Sequence, residues 1–146
     1  MRFLYDIGIF FYNSAITIAA LWNVKAQKRK RGADKVLDYW PKHNIKRYWF
    51  HCASLGEFEM ARPLIERLKS NHDCEVLISF FSPSGYEIRN SYALADKVVY
   101  LPIDTQKNAS NFLAKLQPDV AFFVKYEFWL HFVFEAKRKN IQLYSL

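Results

Sequence analysis

The sequence predicts an α/β fold in which helices cover both faces of a parallel β-sheet. Short apolar runs alternate with segments of helical periodicity throughout residues 47–146. The apolar runs are nearly continuous, which is typical of strands that are buried on both faces of a parallel sheet. Small or polar residues follow most of these runs, as expected of strand-to-helix turns. Together these observations favour a Rossmann-like arrangement of alternating strands and helices.

Five strands and four helices are predicted in strict alternation. The strands are predicted at 47–53, 74–81, 97–103, 119–125 and 141–146, and the helices at 57–70, 84–94, 105–117 and 128–140. Pro63 falls inside the first helical pattern, so that helix is expected either to begin near Arg62 or to kink. The chain stops on the fifth strand, and we interpret its 146 residues as the front part of a longer protein.

Residues 3–22 form an apolar segment with one charge, Asp6. At helical rise, such a segment is roughly 30 Å long, which matches the hydrocarbon thickness of a bilayer. We interpret residues 1–24 as a membrane-anchor helix that either spans the bilayer or lies in its interface. Two alternatives stay open: an amphipathic helix packed on the domain, and a signal peptide. A signal peptide is less favoured because its basic residues should precede the apolar run.

The net charge of +7 belongs to one segment. Residues 25–47 contain nine Lys or Arg and two Asp, and the rest of the chain is neutral. We therefore interpret residues 25–46 as a basic linker that attracts an anionic membrane surface. Charge this local does not predict nucleic-acid binding. Cys52 and Cys74 fit two buried free thiols, and no spacing of Cys and His predicts a metal site.

The turns after the first four predicted strands should lie at one edge of the sheet, where such folds bind ligands. These turns contain "SLGE", "SPSG", "PIDT" and "KYEFW", beginning at residues 54, 82, 102 and 125. The first and the fourth each present a carboxylate, Glu57 and Glu127. The sequence therefore predicts two acidic side chains on one rim.

Each of these motifs has a structural and a functional interpretation. Ser54 and Glu57 fit a capping box, Ser82 or Ser84 fits an N-cap, and Glu127 fits a first-turn acid. In the functional interpretation, "SPSG" binds an anion at a helix N-terminus, and Lys125 adds a cation. The two carboxylates then act as base and charge stabiliser. Residue spacing alone does not decide between these interpretations or name a reaction.

Four ordered segments resemble the 3-deoxy-D-manno-octulosonic acid (Kdo) transferase family. They are "WFHCASLGEFEMARPLIERL", "ISFFSPSGYE", "VVYLPIDT" and "FFVKYEFW". The apolar N-terminus followed by basic residues is similar to that family's membrane anchor. The resemblance implies the N-terminal, acceptor-binding half of a GT-B glycosyltransferase, which we assign to residues 47–146.

The resemblance also implies an activity. The family transfers Kdo from CMP-Kdo to a lipid A precursor at the cytoplasmic face of the inner membrane. No residue cluster in the sequence needs a metal, and no cofactor is expected. Glu57 matches the family's general base, and Glu127 matches a glutamate with a transition-state role. The CMP-Kdo site lies mostly in a C-terminal half, so the present chain alone is expected to be inactive. The expected substrate-binding residues are Ser54, Gly56, Ser82, Ser84, Gly85 and Lys125.

The sequence departs from the family pattern at two places. Lys125 stands where the family usually has the first glutamate of E-x-E, and Leu130-His131 replaces its usual Pro-Asn. Two alternatives to the Kdo transferase therefore stay open. One is another GT-B glycosyltransferase of envelope synthesis, and the other is a membrane-tethered, non-enzymatic binding module.

Overall fold

The computed structural model describes residues 2–33, 37–42, 44–125 and 127–146. Its five strands are β1 (Lys46–Cys52), β2 (Cys74–Phe80), β3 (Lys97–Tyr100), β4 (Val120–Phe123) and β5 (Gln142–Ser145). They form one sheet in the order β3-β2-β1-β4-β5, and every neighbouring pair is parallel. The predicted parallel α/β architecture is therefore confirmed.

Six helices accompany the sheet in the described residues. They are α1 (Arg2–Ala19), α2 (Val24–Ala33), α3 (Leu55–Asn71), α4 (Pro83–Arg89), α5 (Gln106–Leu116) and α6 (Leu130–Arg138). The last four correspond to the four predicted helices. The helix predicted at 84–94 is shorter than expected, because α4 ends at Arg89 and turns follow it.

Helices pack on both faces of the sheet, as the sequence predicts. On one face, α3 buries Phe58, Ala61 and Ile65 against the side chains of β1 and β2. On the other face, α5 and α6 bury Phe112 and Phe132 around Trp49 of β1. The central strands are thus covered twice, which explains why they read as continuous apolar runs.

Pro63 lies inside α3, so of the two alternatives predicted for this helix, the start near Arg62 is wrong. The helix begins at Leu55, eight residues before the proline. Two features outweigh the lost backbone hydrogen bond. The first turn is capped by Glu57, and buried residues on both sides of Pro63 anchor the helix to the sheet.

The helix α1 lies against the carboxyl edge of the sheet. Ile9 is buried, and Tyr12 stacks on Phe81, which follows β2. The rest of the N-terminal region exposes large apolar side chains, namely those of Phe3, Leu4, Ile7, Phe10, Phe11, Ile18, Leu21, Trp22 and Val24. No helix in residues 2–33, 37–42, 44–125 and 127–146 has the length and apolar character needed to cross a membrane.

Within the segment interpreted as a basic linker, the structure forms the helix α2. Asn23 caps this helix, because its side-chain oxygen accepts from the backbone N–H groups of Lys25 and Ala26. Arg29 is buried, donates to the carbonyl of Leu101 at 2.6 Å and lies 4.0 Å from the Phe81 ring centroid. One member of the basic run therefore belongs to the folded body. Residues 34–36 and 43 of the expected linker lie outside the described residues.

The amino edge of the sheet contains a buried ion pair. Arg47 is fully buried and lies 2.6 Å from Glu75 of the adjacent strand. Its guanidinium also donates to the carbonyls of Trp40, Pro41 and Leu116. This side chain therefore ties the segment before β1 to the sheet. Cys52 and Cys74 are both free and buried, as predicted.

Candidate functional site

The two predicted carboxylates lie at the point where the sheet changes winding direction. From β1 the chain winds through α3 and α4 toward β3, and later through α5 and α6 toward β5 on the other face. The strands β1 and β4 are neighbours at this switch point, where open α/β sheets form a ligand crevice. Glu57 follows β1 and Glu127 follows β4. The topology therefore brings both carboxylates to the crevice, as the sequence predicts.

Glu57 is engaged in the helix cap. Its Oε2 accepts a hydrogen bond of 2.8 Å from the backbone N–H of Ser54, at the start of α3. The structural interpretation of "SLGE" as a capping motif is therefore correct. The side chain is only partly buried, and a carboxylate has a second oxygen. Capping and a function in the crevice are thus compatible.

Glu127 is a carboxylate with a raised pKa. Burial raises this pKa first, the charge of Glu57 raises it further, and a hydrogen bond from Trp129 lowers it. The second contribution requires the two carboxylates to be close enough to interact. Glu127 keeps 27% of its side chain exposed and can be reached from the crevice. Tyr126, within the same "KYEFW" segment, lies outside the described residues.

A buried histidine, which sequence reasoning missed, supports this loop. The Trp129 indole N–H donates to His51 Nε2 at 3.1 Å, and His51 Nδ1 lies 2.9 Å from the Ser79 hydroxyl. Because indole can only donate, Nε2 must accept and Nδ1 must hold the proton. Burial lowers the pKa of His51 to about 3, so the ring is neutral. His51 therefore holds Trp129 beside Glu127, whose Oε2 is 4.0 Å from Nε2.

Asp104, in the "PIDT" turn, also holds this region in place. It is fully buried, and its two carboxylate oxygens accept from the backbone N–H groups of His131 and Phe132 at 3.1 Å each. It thus caps α6 from another loop. The sequence placed "PIDT" at the ligand edge but gave Asp104 no role. Because Asp104 pairs with residues 27 and 28 positions away, no local sequence pattern indicated this role.

The other predicted site residues lie at the same edge but differ in burial and in hydrogen bonding. Ser82 caps the seven-residue α4, and its hydroxyl is 2.9 Å from that of Ser84. Gly85 is buried against the Phe80 ring, where an added Cβ would meet a ring carbon at 2.2 Å, so a packing constraint explains this glycine. Gly56 is exposed in the first turn of α3.

Lys125 lies two residues after β4 and has a left-handed backbone at φ 60°. Its side chain is exposed at the carboxyl edge, and its backbone N–H donates to the carbonyl of Leu146 at 2.8 Å. A cation is therefore present near the crevice. In the part of the chain that the structure describes, no group of three or more His, Cys, Asp or Glu residues could hold a metal ion.

Fold and site together define a Rossmann-like α/β domain with two carboxylates at its ligand crevice. Residues 24–146 match the family model described as 3-deoxy-D-manno-octulosonic-acid transferase (kdotransferase). The chain belongs to this family, so the resemblance inferred from the four motifs is confirmed.

Individual relatives agree with the family assignment. A 3-deoxy-D-manno-octulosonic acid transferase of Chlamydia trachomatis serovar D is 33% identical over 101 residues, which are 67% of this chain and 23% of that protein. The enzyme of the same name from Aquifex aeolicus is 29% identical over 70% of this chain and 30% of its own length. A bifunctional glycosyltransferase/methyltransferase of Fusobacterium nucleatum is 31% identical over 65% of this chain and 15% of its own length. The chain therefore matches less than a third of each relative.

Proposed function

We propose that this chain is the acceptor-binding half of a glycosyltransferase that transfers Kdo from CMP-Kdo to a lipid A precursor. The observation that carries the proposal is the pair Glu57 and Glu127 at the switch-point crevice of a Kdo transferase N-terminal domain. In a GT-B enzyme the second half, carrying most of the CMP-Kdo site, faces this crevice. The 146-residue chain alone should then have no transferase activity.

The proposed step is an inverting transfer with Glu57 as general base. The acceptor hydroxyl oxygen forms a bond to the anomeric carbon of Kdo, and the bond from that carbon to the phosphate oxygen of CMP breaks. The hydroxyl proton passes to Glu57, and CMP leaves with the electron pair of the broken bond. Ser54 engages Oε2 of Glu57, which orients the carboxylate and leaves Oε1 to take the proton.

Glu127 is proposed to stabilise positive charge that develops on the sugar ring in the transition state. Its position beside Glu57 supports this role, and His51 and Trp129 keep its loop in place. Lys125, Ser82 and Ser84 are proposed to contact the acceptor phosphates or the Kdo carboxylate. Ser54, Gly56 and Gly85 complete the proposed substrate-binding residues.

We also propose that the chain acts at the cytoplasmic face of the inner membrane, with α1 lying in the bilayer interface. Two features support this orientation. Large apolar side chains of residues 3–24 are exposed, although α1 is packed on the domain. Exposed basic residues follow directly in α2, where they would meet anionic headgroups.

The decisive experiment replaces Glu57 in the full-length enzyme. Glu57→Ala should lower transfer by about 10²- to 10⁴-fold, the usual contribution of a general base. Glu59→Ala is the matched control, because Glu59 lies two residues away and pairs with Arg62 and Arg89. Its transfer rate should stay close to wild type. Near wild-type transfer by Glu57→Ala would return Glu57 to a capping role alone.

A further inference from the structure

A groove separates α1 from the loop that carries Glu127. Its volume is about 340 Å³, at the lower end of the range for small-molecule sites. One wall belongs to α1 and the other to residues 127–129, just before α6. The lining residues are Tyr5, Ile9, Tyr12, Glu127, Phe128 and Trp129.

Polar contacts hold the two walls together. The Tyr5 hydroxyl donates to the buried Asp104, which caps α6, and accepts from the backbone N–H of Leu130 at 3.4 Å. Asp6, the next residue of α1, makes a further contact: its Oδ1 is 2.6 Å from His131 Nε2. These contacts connect residues 99 or 125 positions apart. They place α1 at a defined distance from the Glu127 loop, which an anchor serving only to bind membrane would not require.

The groove has the chemistry of a sugar site. Aromatic rings of Tyr12, Phe128 and Trp129 offer flat apolar surfaces that suit the C–H face of a pyranose ring. Glu127 offers a hydrogen-bond acceptor for a sugar hydroxyl. Tyr12 and Glu127 both line the groove. The pKa of Tyr12 is raised, chiefly by burial; Arg29 lowers this pKa and the charge of Glu127 raises it.

We propose that α1 forms one wall of the acceptor site, and that the groove between α1 and the Glu127 loop binds a sugar ring of the glycolipid acceptor. This inference rests on the proposed function. The two faces of α1 then have different functions. Its inner face contacts the sugar, and its exposed apolar side chains contact the bilayer in which the acceptor's acyl chains lie.

The kinetic test compares two neighbouring aromatic residues of α1 in the full-length enzyme. Tyr12 lines the groove, whereas Phe11 is 66% exposed and is not one of the lining residues. With a detergent-dispersed acceptor, Tyr12→Ala should raise the acceptor KM at least about fivefold, the value of a lost aromatic contact. The KM for CMP-Kdo should not change. Phe11→Ala should leave both constants within about twofold of wild type.

A second variant addresses the polar contacts. Tyr5→Phe keeps the ring but removes the hydroxyl that bonds Asp104 and Leu130. It should raise the acceptor KM while leaving the KM for CMP-Kdo unchanged. Equal acceptor KM values for wild type, Tyr12→Ala and Tyr5→Phe would overturn the inference.

A binding measurement separates this inference from the proposed transfer activity. The probe is the fully deacylated, phosphorylated disaccharide of the lipid A precursor, titrated calorimetrically into wild type, Tyr12→Ala and Phe11→Ala. Binding that weakens only in Tyr12→Ala supports the groove, even if the wild type transfers no Kdo and the proposed function fails. Absence of binding to the wild type, or equal binding to all three proteins, would overturn the groove even if transfer is observed.

Discussion

Charged side chains are arranged in opposite ways at the two edges of the sheet. At the amino edge, Arg47 is fully buried beside Glu75, and its other donors meet backbone carbonyls. At the carboxyl edge, Glu57 and Glu127 face one crevice with the same sign of charge and partial exposure. The first arrangement compensates charge and fixes a loop. The second keeps two like charges together, at a cost in stability that is common at functional sites.

The pKa values of Asp119 and Glu127 differ in the same way between the two edges. Burial would raise the pKa of Asp119 at the amino edge, but hydrogen bonds from Lys42 and from the Arg47 backbone outweigh it, so this pKa is lowered. The pKa of Glu127 is raised by burial and by Glu57. Ionisation of Asp119 thus stabilises the fold, whereas ionisation of Glu127 opposes it.

The largest expected effect is at the amino edge. Arg47→Ala leaves Glu75 buried without this partner and should lower the free energy of unfolding by about 3–5 kcal/mol. The double variant Arg47→Met, Glu75→Leu removes both charges and should recover most of that loss. Urea denaturation of the three proteins measures the difference. Equal stability of Arg47→Ala and wild type would contradict the structural role of the pair.

The next largest effect is the contribution of His51 to the loss of stability at acidic pH. Because its folded-state pKa of about 3 lies below its ordinary 6.5, the unfolded chain binds a proton more readily between these values. Stability should therefore fall as the pH decreases from 6.5 toward 3. His51→Gln should lose less stability over this range, in urea midpoints measured at several pH values. Parallel pH curves for the two proteins would mean that His51 is not the responsible group.

A smaller effect sharpens the contrast in pKa. Glu57→Gln removes the like charge beside Glu127, so the pKa of Glu127 should move down toward its ordinary value. The pKa of Asp119 serves as the internal control and should not move. Carbon-13 NMR titration of the labelled carboxyl groups measures both. An unchanged pKa of Glu127 would show that the two carboxylates do not share a crevice.

The smallest effect is expected for a paired surface carboxylate. Glu59 lies 2.6 Å from Arg89 and 3.1 Å from Arg62, and all three side chains are partly exposed. Glu59→Gln should change the free energy of unfolding by less than about 1 kcal/mol, as for other exposed ion pairs. Thermal denaturation at low and high salt checks this value. A loss comparable with that of Arg47→Ala would remove the distinction between buried and exposed pairs.

The architecture was predictable because its determinants are local. Strands such as Cys74–Phe80 are buried along their whole length, and Thr105 caps α5 by accepting from the backbone N–H of Asn108. The parallel topology then places every strand-to-helix turn at one edge, which brought Glu57 and Glu127 together without any knowledge of their contacts. Their catalytic roles stay predictions.

The contacts that refine the site were not predictable from local pattern. His51 reads as one more member of an apolar strand, and its partner Trp129 is 78 residues away. Arg29 reads as one of several exposed basic residues, although it is buried on Phe81. Such pairings depend on which elements meet in three dimensions, and neither periodicity nor composition reports them.

The long reach of Tyr5 and Asp6 has a consequence for synthesis on the ribosome. Their partners Leu130 and His131 follow 125 residues later. At about 5–20 residues per second, translation needs roughly 6–25 seconds to produce those partners. Throughout that interval the contacts of Tyr5 and Asp6 with the start of α6 cannot form. A nascent helix of this kind has time to meet a lipid surface first, and the rest of the domain would then fold onto it.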